Sequence, residues 1–296
     1  MKLVKMSLAT AVLLGASAFA IDNVKVSGDA KLLYGSDNQD QAAASMKSDK
    51  MFGQDNSYVD TAFRLGVTGD LMKGVSFGAA GYAVSTLGLE NNLVANTWTG
   101  AHDQATDDTA WMSELWLSGT VGKTTAKVGR MQLDTPLVFS ETWSVAANTF
   151  DAAVLINQDL PDTALIGAWI GKSNGVDVNN VSASTTDRDA ILRDGAVFGT
   201  FGSKGTYTVG AINNSLKFLT AQAWYYNVVN IADAYWLQAD WDCKLVKDVK
   251  IGAQYANMNP KGMAIDPAVL NLANRDSSAY AVRVGYEGIK DLKISA

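Results

Sequence analysis

The chain has 296 residues, a formal net charge of −6, 26 glycines and only 4 prolines. The acidic balance argues against nucleic acid as a partner. One cysteine, Cys243, and one histidine, His102, exclude a disulfide framework and most metal sites of the usual kind, and no cofactor is implied.

Residues 1–20, MKLVKMSLATAVLLGASAFA, place Lys2 and Lys5 before an apolar run from Leu8 to Leu14 and an ASAFA ending. That order reads as a secretory signal cleaved after Ala20. The mature chain would start at Ile21 and, without the two lysines, its formal charge would move from −6 to −8. No later segment reaches the roughly 18 consecutive apolar residues of a membrane-spanning helix.

Past Ile21 the chain alternates. In VKVSGDAKLLY, Val24, Val26, Ala30 and Leu32 oppose Lys25, Ser27, Asp29 and Lys31. In YVDTAFRLGVTG, Val59, Phe63, Leu65 and Val67 oppose Asp60, Arg64 and Gly66. VKIGAQYAN and SSAYAVRVGYE repeat the pattern, with Val249, Ile251 and Tyr255 against Lys250 and Gln254, then Tyr280, Val282, Val284 and Tyr286 against Arg283 and Glu287. Period two predicts strands with one apolar and one polar face.

Strands are expected at 24–34, 57–69, 75–86, 110–121, 124–131, 149–157, 163–172, 206–214, 218–228, 233–242, 248–257, 277–287 and from 291 onward. The long gaps 35–56, 87–109, 132–148, 173–205 and 258–276 all follow odd strands, and tight turns such as VGKT and EGIKD follow even ones. GAVFGTFG, 195–202, also looks like a strand but would break this parity, so it reads as part of the fourth long loop. Everything from 21 to 296 belongs to one sheet, with no second domain.

Alternation alone fits a soluble β-sandwich or an antiparallel transmembrane β-barrel. Charged residues on the polar face, the parity of the loops, and aromatics near strand ends (Tyr34, Trp111, Tyr235, Trp241, Tyr255, Tyr280, Tyr286) favour the barrel. Thirteen strands is odd, whereas bacterial single-chain barrels have even numbers, so further strands beyond Ala296 are expected.

The stretch VGRMQLDTPLVFSETWSVAANTFDAAVLIN, 128–157, holds the third long loop, about 131–149, which is unusually apolar. A loop this apolar needs something to pack against. Folded into the lumen, it would anchor on the inner wall through Leu133, Pro136, Leu137, Phe139, Trp143 and Phe150. Asp134 and Glu141, with Arg130 and Thr135, would border the remaining aperture. The alternative is a loop folded over the barrel mouth.

Alternation assigns Lys25, Lys31, Arg64, Lys127, Lys250 and Arg283 to the lumen, against Asp29, Asp60, Glu114, Asp151, Asp240 and Glu287. The signs balance, which predicts weak ion selectivity, with a slight preference for cations from the acidic chain. Each of these charges could equally be a wall salt bridge with no part in selection. Asp134, Glu141 and Asp151 are a further candidate set for a divalent cation.

VGRMQLDTP, NTFDAAVLINQDLPDT, AWYYN with DAYWLQADW, and the N-terminus resemble the major outer membrane porins of Campylobacter-type bacteria, a group related to the pseudomonad substrate-specific porins. The resemblance implies a barrel of about 18 strands, usually trimeric, with the third loop as constriction. It implies passive diffusion of ions and small hydrophilic solutes across a Gram-negative outer membrane, with outer-membrane lipid and lipopolysaccharide as surroundings.

An enzyme is not expected. A hydrolase built on a barrel needs a serine with a histidine base, and His102 stands alone in an acidic loop stretch, TGAHDQATDD. A secreted β-sandwich that binds a partner, and a structural or adhesive surface barrel, are the rival functions.

Overall fold

The structure is a computed structural model that describes residues 21–36, 52–54, 57–89, 92–94, 109–142, 145–174, 204–243, 245–261, 276–289 and 292–295. The signal stretch 1–20, the segment 195–202, His102 and Trp143 lie outside the described residues.

Thirteen strands follow in chain order: β1 Asp22–Ser36, β2 Ser57–Met72, β3 Val75–Ser85, β4 Thr109–Val121, β5 Thr124–Met131, β6 Thr149–Asn157, β7 Thr163–Asn174, β8 Thr206–Leu216, β9 Leu219–Val228, β10 Ala232–Asp242, β11 Val249–Pro260, β12 Ser277–Ile289 and β13 Leu292–Ser295. Each expected strand forms. All belong to one sheet in which every strand pairs with its sequence neighbours, from β1 at one edge to β13 at the other. The pairings are antiparallel throughout, so the long connections leave one end of the strands and the short turns the other.

Cross-strand partners share a face, so the register defines two faces. One runs through Lys31, Ala62 and Val84, then Arg64, Tyr82 and Trp111. It continues through Trp116, Gly129, Ala152 and Ile170, and through Ile166, Gly210, Trp224, Trp236, Ala256 and Ala279. The other face is apolar and open. Leu32, Phe63, Leu115, Val128, Leu155, Val209, Leu237 and Val282 all lie on it, each more than half exposed. In a β-sandwich a second sheet would cover such residues; here one sheet holds all the strands, and this face is the one a barrel turns toward lipid.

The residues between β5 and β6 pack on the first face. Val145 and Ala146 lie against Ala62, Tyr82 and Val84 of β2 and β3. Leu133 and Val138 cover Met131, Phe150, Ala152 and Ile170. Leu137 and Val138 reach Trp224, Tyr226 and Ala234 of β9 and β10. β3 and β9 are six strands apart, roughly 29 Å along a flat sheet at about 4.8 Å per strand. A short, partly folded connection touches both because the sheet curls around it, so the loop-bearing face is concave. The buried core of the molecule is this contact between loop and wall.

Of the register shifts in the sheet, two change the face of residues near the loop. Ser113 is the extra residue of β4, between the pairs Ala80–Glu114 and Gly81–Met112. The slip turns Trp111 to the concave face, where it stacks on Tyr82 with ring centroids 5.5 Å apart. Trp111 therefore leaves the row of outward aromatics expected from the sequence, while Tyr34, Tyr235, Tyr255, Tyr280 and Tyr286 are exposed on the apolar face. Gly171 is the second bulge residue, between Asp151–Lys172 and Ala152–Ile170.

Candidate functional site

The loop builds its own scaffold. Asp134 and Phe139 form an isolated antiparallel bridge. Inside it the Thr135 N–H and hydroxyl both donate to the Val138 carbonyl, at 3.0 and 2.7 Å, closing a four-residue turn with Pro136 in the position its fixed φ suits. The Ser140 N–H donates to the Leu133 carbonyl at 2.7 Å. Beyond this small hairpin, the Glu141 N–H donates to Asn148 Oδ1 at 2.6 Å, and the Asn148 amide donates to Ser173 Oγ on β7 at 3.1 Å.

Two tyrosines hold the loop at opposite sides of the concave face. Tyr226 on β9 accepts the Leu137 N–H, and Tyr82 on β3 accepts the Ala147 N–H, both at 3.4 Å. Both rings are buried. Leu133, Leu137 and Phe150 pack as expected of wall anchors, but Phe139 does not: its side chain is exposed, as is Asp134 across the bridge from it. Alternation along the hairpin sends Val138 to the wall and Phe139 away from it.

The register puts eleven of the twelve expected charges on the concave face. Arg64 Nη2 pairs with Glu114 Oε1 at 2.7 Å, and Gln132 Nε2 and Trp116 Nε1 also donate to the Glu114 carboxylate, at 3.2 and 3.4 Å. The Lys127 ammonium sits 3.9 Å over the Trp116 ring. Lys25 and Asp29 are exposed beside them, Lys31 is half-buried and Asp60 is buried. Across the sheet, Arg283 pairs with Asp240 at 3.5 Å, Lys250 with Glu287 at 3.2 Å and Asp242 at 3.8 Å, and Lys293 with Glu287 at 3.0 Å.

Asp151 is the exception, and Arg130 goes with it. Met131, Phe150 and Ala152 point under the loop, so Arg130 and Asp151, cross-strand partners one step along, point to the opposite face. Arg130 Nε and Nη2 meet the two Asp151 oxygens at 2.8 and 3.4 Å, and Nη1 donates to the Met112 carbonyl at 3.2 Å. Neither residue borders the space beside the loop, because the wall beneath the loop is apolar and the polar pair takes the other side. Asp134, Glu141 and Asp151 consequently do not converge, and no group of three His, Cys, Asp or Glu side chains among the described residues is arranged to hold a metal ion.

Sequence reasoning missed Tyr82, Tyr226 and Gln132, and a row of glutamines, Gln222, Gln238 and Gln254, that lies in register on the concave face of β9, β10 and β11. Their signal was present as alternation: Gln254 stands on the polar face of VKIGAQYAN, and Gln238 stands two residues before Asp240, which alternation assigns to the lumen.

No protein-family model and no curated protein matches the chain. Solved structures do match. OccK8 (OprE) of Pseudomonas aeruginosa aligns with a TM-score of 0.64 at 15% identity, over 90% of this chain and 65% of that one. OccAB2 of Acinetobacter baumannii gives 0.63 at 16% identity, over 90% of this chain and 63% of that one. OpdK of Pseudomonas aeruginosa, solved with vanillate, gives 0.62 at 15% identity over the same shares. The chain spans less than two thirds of the length of each. The antiparallel sheet is thus similar in fold to the Occ and Opd outer-membrane porins.

Proposed function

We propose that the chain is an outer-membrane porin that passes ions and small hydrophilic solutes by diffusion, with the third loop as the narrowing element of its lumen. The observation that carries this reading is the loop itself. Residues 132–142 and 145–148 lie on the concave face, hydrogen-bonded to Tyr82 and Tyr226 on distant strands, where they occupy space that solute would otherwise use. The exposed apolar face supports a membrane wall, and the fold likeness to Occ and Opd porins supports outer-membrane residence. Residues 1–20 would direct export and be removed. The sequence resemblance extends the reading to a trimeric porin of the Campylobacter type, embedded in lipid and lipopolysaccharide. Asp134 and Phe139, exposed on the hairpin, with Glu141, would border the aperture; Arg64, Glu114 and Gln132 would face it from the wall.

Single-channel recording of the full-length protein in planar bilayers tests this. Discrete steps that grow when 133–147 is deleted support a pore narrowed by the loop. Steps of unchanged size reject the narrowing role, and a folded, inserted protein without steps rejects the porin.

A further inference from the structure

Just beyond the loop, toward the short turns, the concave face of β9–β12 carries a polar strip with a defined layout. Gln222, Gln238 and Gln254 stand side by side on three adjacent strands. Gln238 Oε1 accepts from Gln254 Nε2 at 3.0 Å and from Trp236 Nε1 at 3.2 Å, and Gln238 Nε2 donates to Asp240 Oδ2 at 2.6 Å. One step further, Asp240, Gly252 and Arg283 are in register, and the ion pair bridges over the glycine. A Cβ at Gly252 would stand 3.0 Å from Asp240 Oδ1, so the glycine keeps a hollow of about 200 Å³ open between Gln238, Asp240, Gln254 and Arg283. That hollow shares Gln238, Asp240 and Arg283 with a second, of about 400 Å³, bordered by Thr220 and Lys250.

The charge here cancels. Asp240, Asp242 and Glu287 face Arg283, Lys250 and Lys293, three of each sign, and every one is within 4 Å of an opposite partner. Such a surface offers a free ion little net attraction. It offers instead fixed planar donors and acceptors about 4.8 Å apart, the spacing of neighbouring strands, beside the partly buried ring of Trp236. Adjacent hydroxyls on a rigid ring match paired amide and carboxylate groups, and the apolar C–H face of that ring matches an indole.

We infer that the strip formed by Trp236, Gln238, Gln254, Asp240 and Arg283 is a binding station for an uncharged saccharide passing the loop. The inference rests on the porin reading. Sugar hydroxyls donate to Asp240 and to Gln254 Oε1, and accept from Arg283. The glutamine row orients the ring so that it leaves the loop edge-first.

The test is current block in planar bilayers by maltose, with a polyethylene glycol of matched hydrodynamic size as the control for simple volume exclusion. The expected result is saturable block by maltose at concentrations where the glycol only lowers conductance in proportion to its amount. The variant Gln238→Leu/Gln254→Leu should weaken maltose block about tenfold, since at near-constant volume it removes the sugar's hydrogen bond to Gln254 and the Gln238 bonds that hold Gln254 and Asp240 in place. Gly252→Val, which fills the hollow and crowds the Asp240–Arg283 pair, should do the same without removing a polar group. Maltose that behaves as the glycol does on the unaltered protein overturns the saccharide station and leaves the porin standing. Unchanged maltose block in both variants overturns the assignment to these residues. Absence of any conductance overturns the porin reading itself.

Discussion

Two parts of the same concave face are built on opposite rules. Beneath the loop, β3, β5, β6 and β7 turn Tyr82, Met131, Phe150, Ala152 and Ile170 inward, and all are buried. Across the sheet, β10, β11 and β12 turn Gln238, Asp240, Lys250, Gln254, Arg283 and Glu287 to the same side, and none of these is buried. The second arrangement is what a water-filled barrel requires. The first is what a wall requires when a loop packs on it: the concave side becomes apolar, and the pair Arg130–Asp151 alternates out of phase with it, closed by its own hydrogen bonds. Inward is therefore chiefly polar where the wall is open and chiefly apolar where the loop covers it, with Asp60, buried on the concave side, an exception.

The sharpest way to break this contrast is to place one carboxylate in each part. Ala152, with no exposed surface, sits under the loop. Ala152→Asp buries a charge among Met131, Phe150 and Ile170 and is expected to cost about 4 kcal/mol or to expel the loop. Ala256→Asp, on the concave side of β11 next to Trp236, should change stability by no more than about 0.5 kcal/mol. Urea unfolding in lipid vesicles measures both. Equal effects would show that the loop does not seal the wall.

A second contrast lies between two ion pairs. The Arg130 and Asp151 side chains are 6% and 0% exposed, those of Arg283 and Asp240 67% and 35%. Arg130→Ala leaves a buried carboxylate without its fork and should cost about 3 kcal/mol, whereas Arg283→Ala should cost less than about 1 kcal/mol. The double replacement Arg130→Met/Asp151→Leu should recover most of the loss, because it removes both charges together. The same vesicle assay decides. A mild Arg130→Ala would mean that water reaches Asp151.

The sheet was legible because strand alternation and the odd-even rhythm of the connections survive in the sequence wherever one face is polar and the other is exposed and apolar. β1, β2, β11 and β12 show this plainly, from Lys25 and Arg64 to Lys250 and Arg283. The loop-wall contact was only half legible. The apolar character of 133–138 announced burial, but TFDAAVLIN carries apolar residues at both parities, so alternation had no side to choose and Asp151 was assigned by default. Trp111 was misplaced for a different reason: the Ser113 bulge inserts one residue, and nothing local in AWMSELW marks the slip. Tyr82 and Tyr226 escaped because their role depends on a partner far along the chain, 65 and 89 residues away.

Those tyrosines give the smallest and finest contrast, between loop held and loop resting. Each hydroxyl accepts one loop N–H at 3.4 Å, so each should contribute no more than about 1 kcal/mol to the placement of its end of the loop. Neither Tyr82→Phe nor Tyr226→Phe should alter the folding midpoint measurably, since ring packing stays. The effect should be local. Tyr226→Phe frees the turn at Thr135–Val138, and Tyr82→Phe frees the return segment at Ala147, so both should raise open-channel current noise without changing mean conductance much. Tyr235→Phe, an exposed ring on the apolar face, should leave the noise unchanged. If the two loop tyrosines behave like Tyr235, the loop is held by Leu133, Leu137, Val138, Val145 and Ala146 alone, and the hydroxyls serve only to satisfy two backbone donors that folding has taken from water.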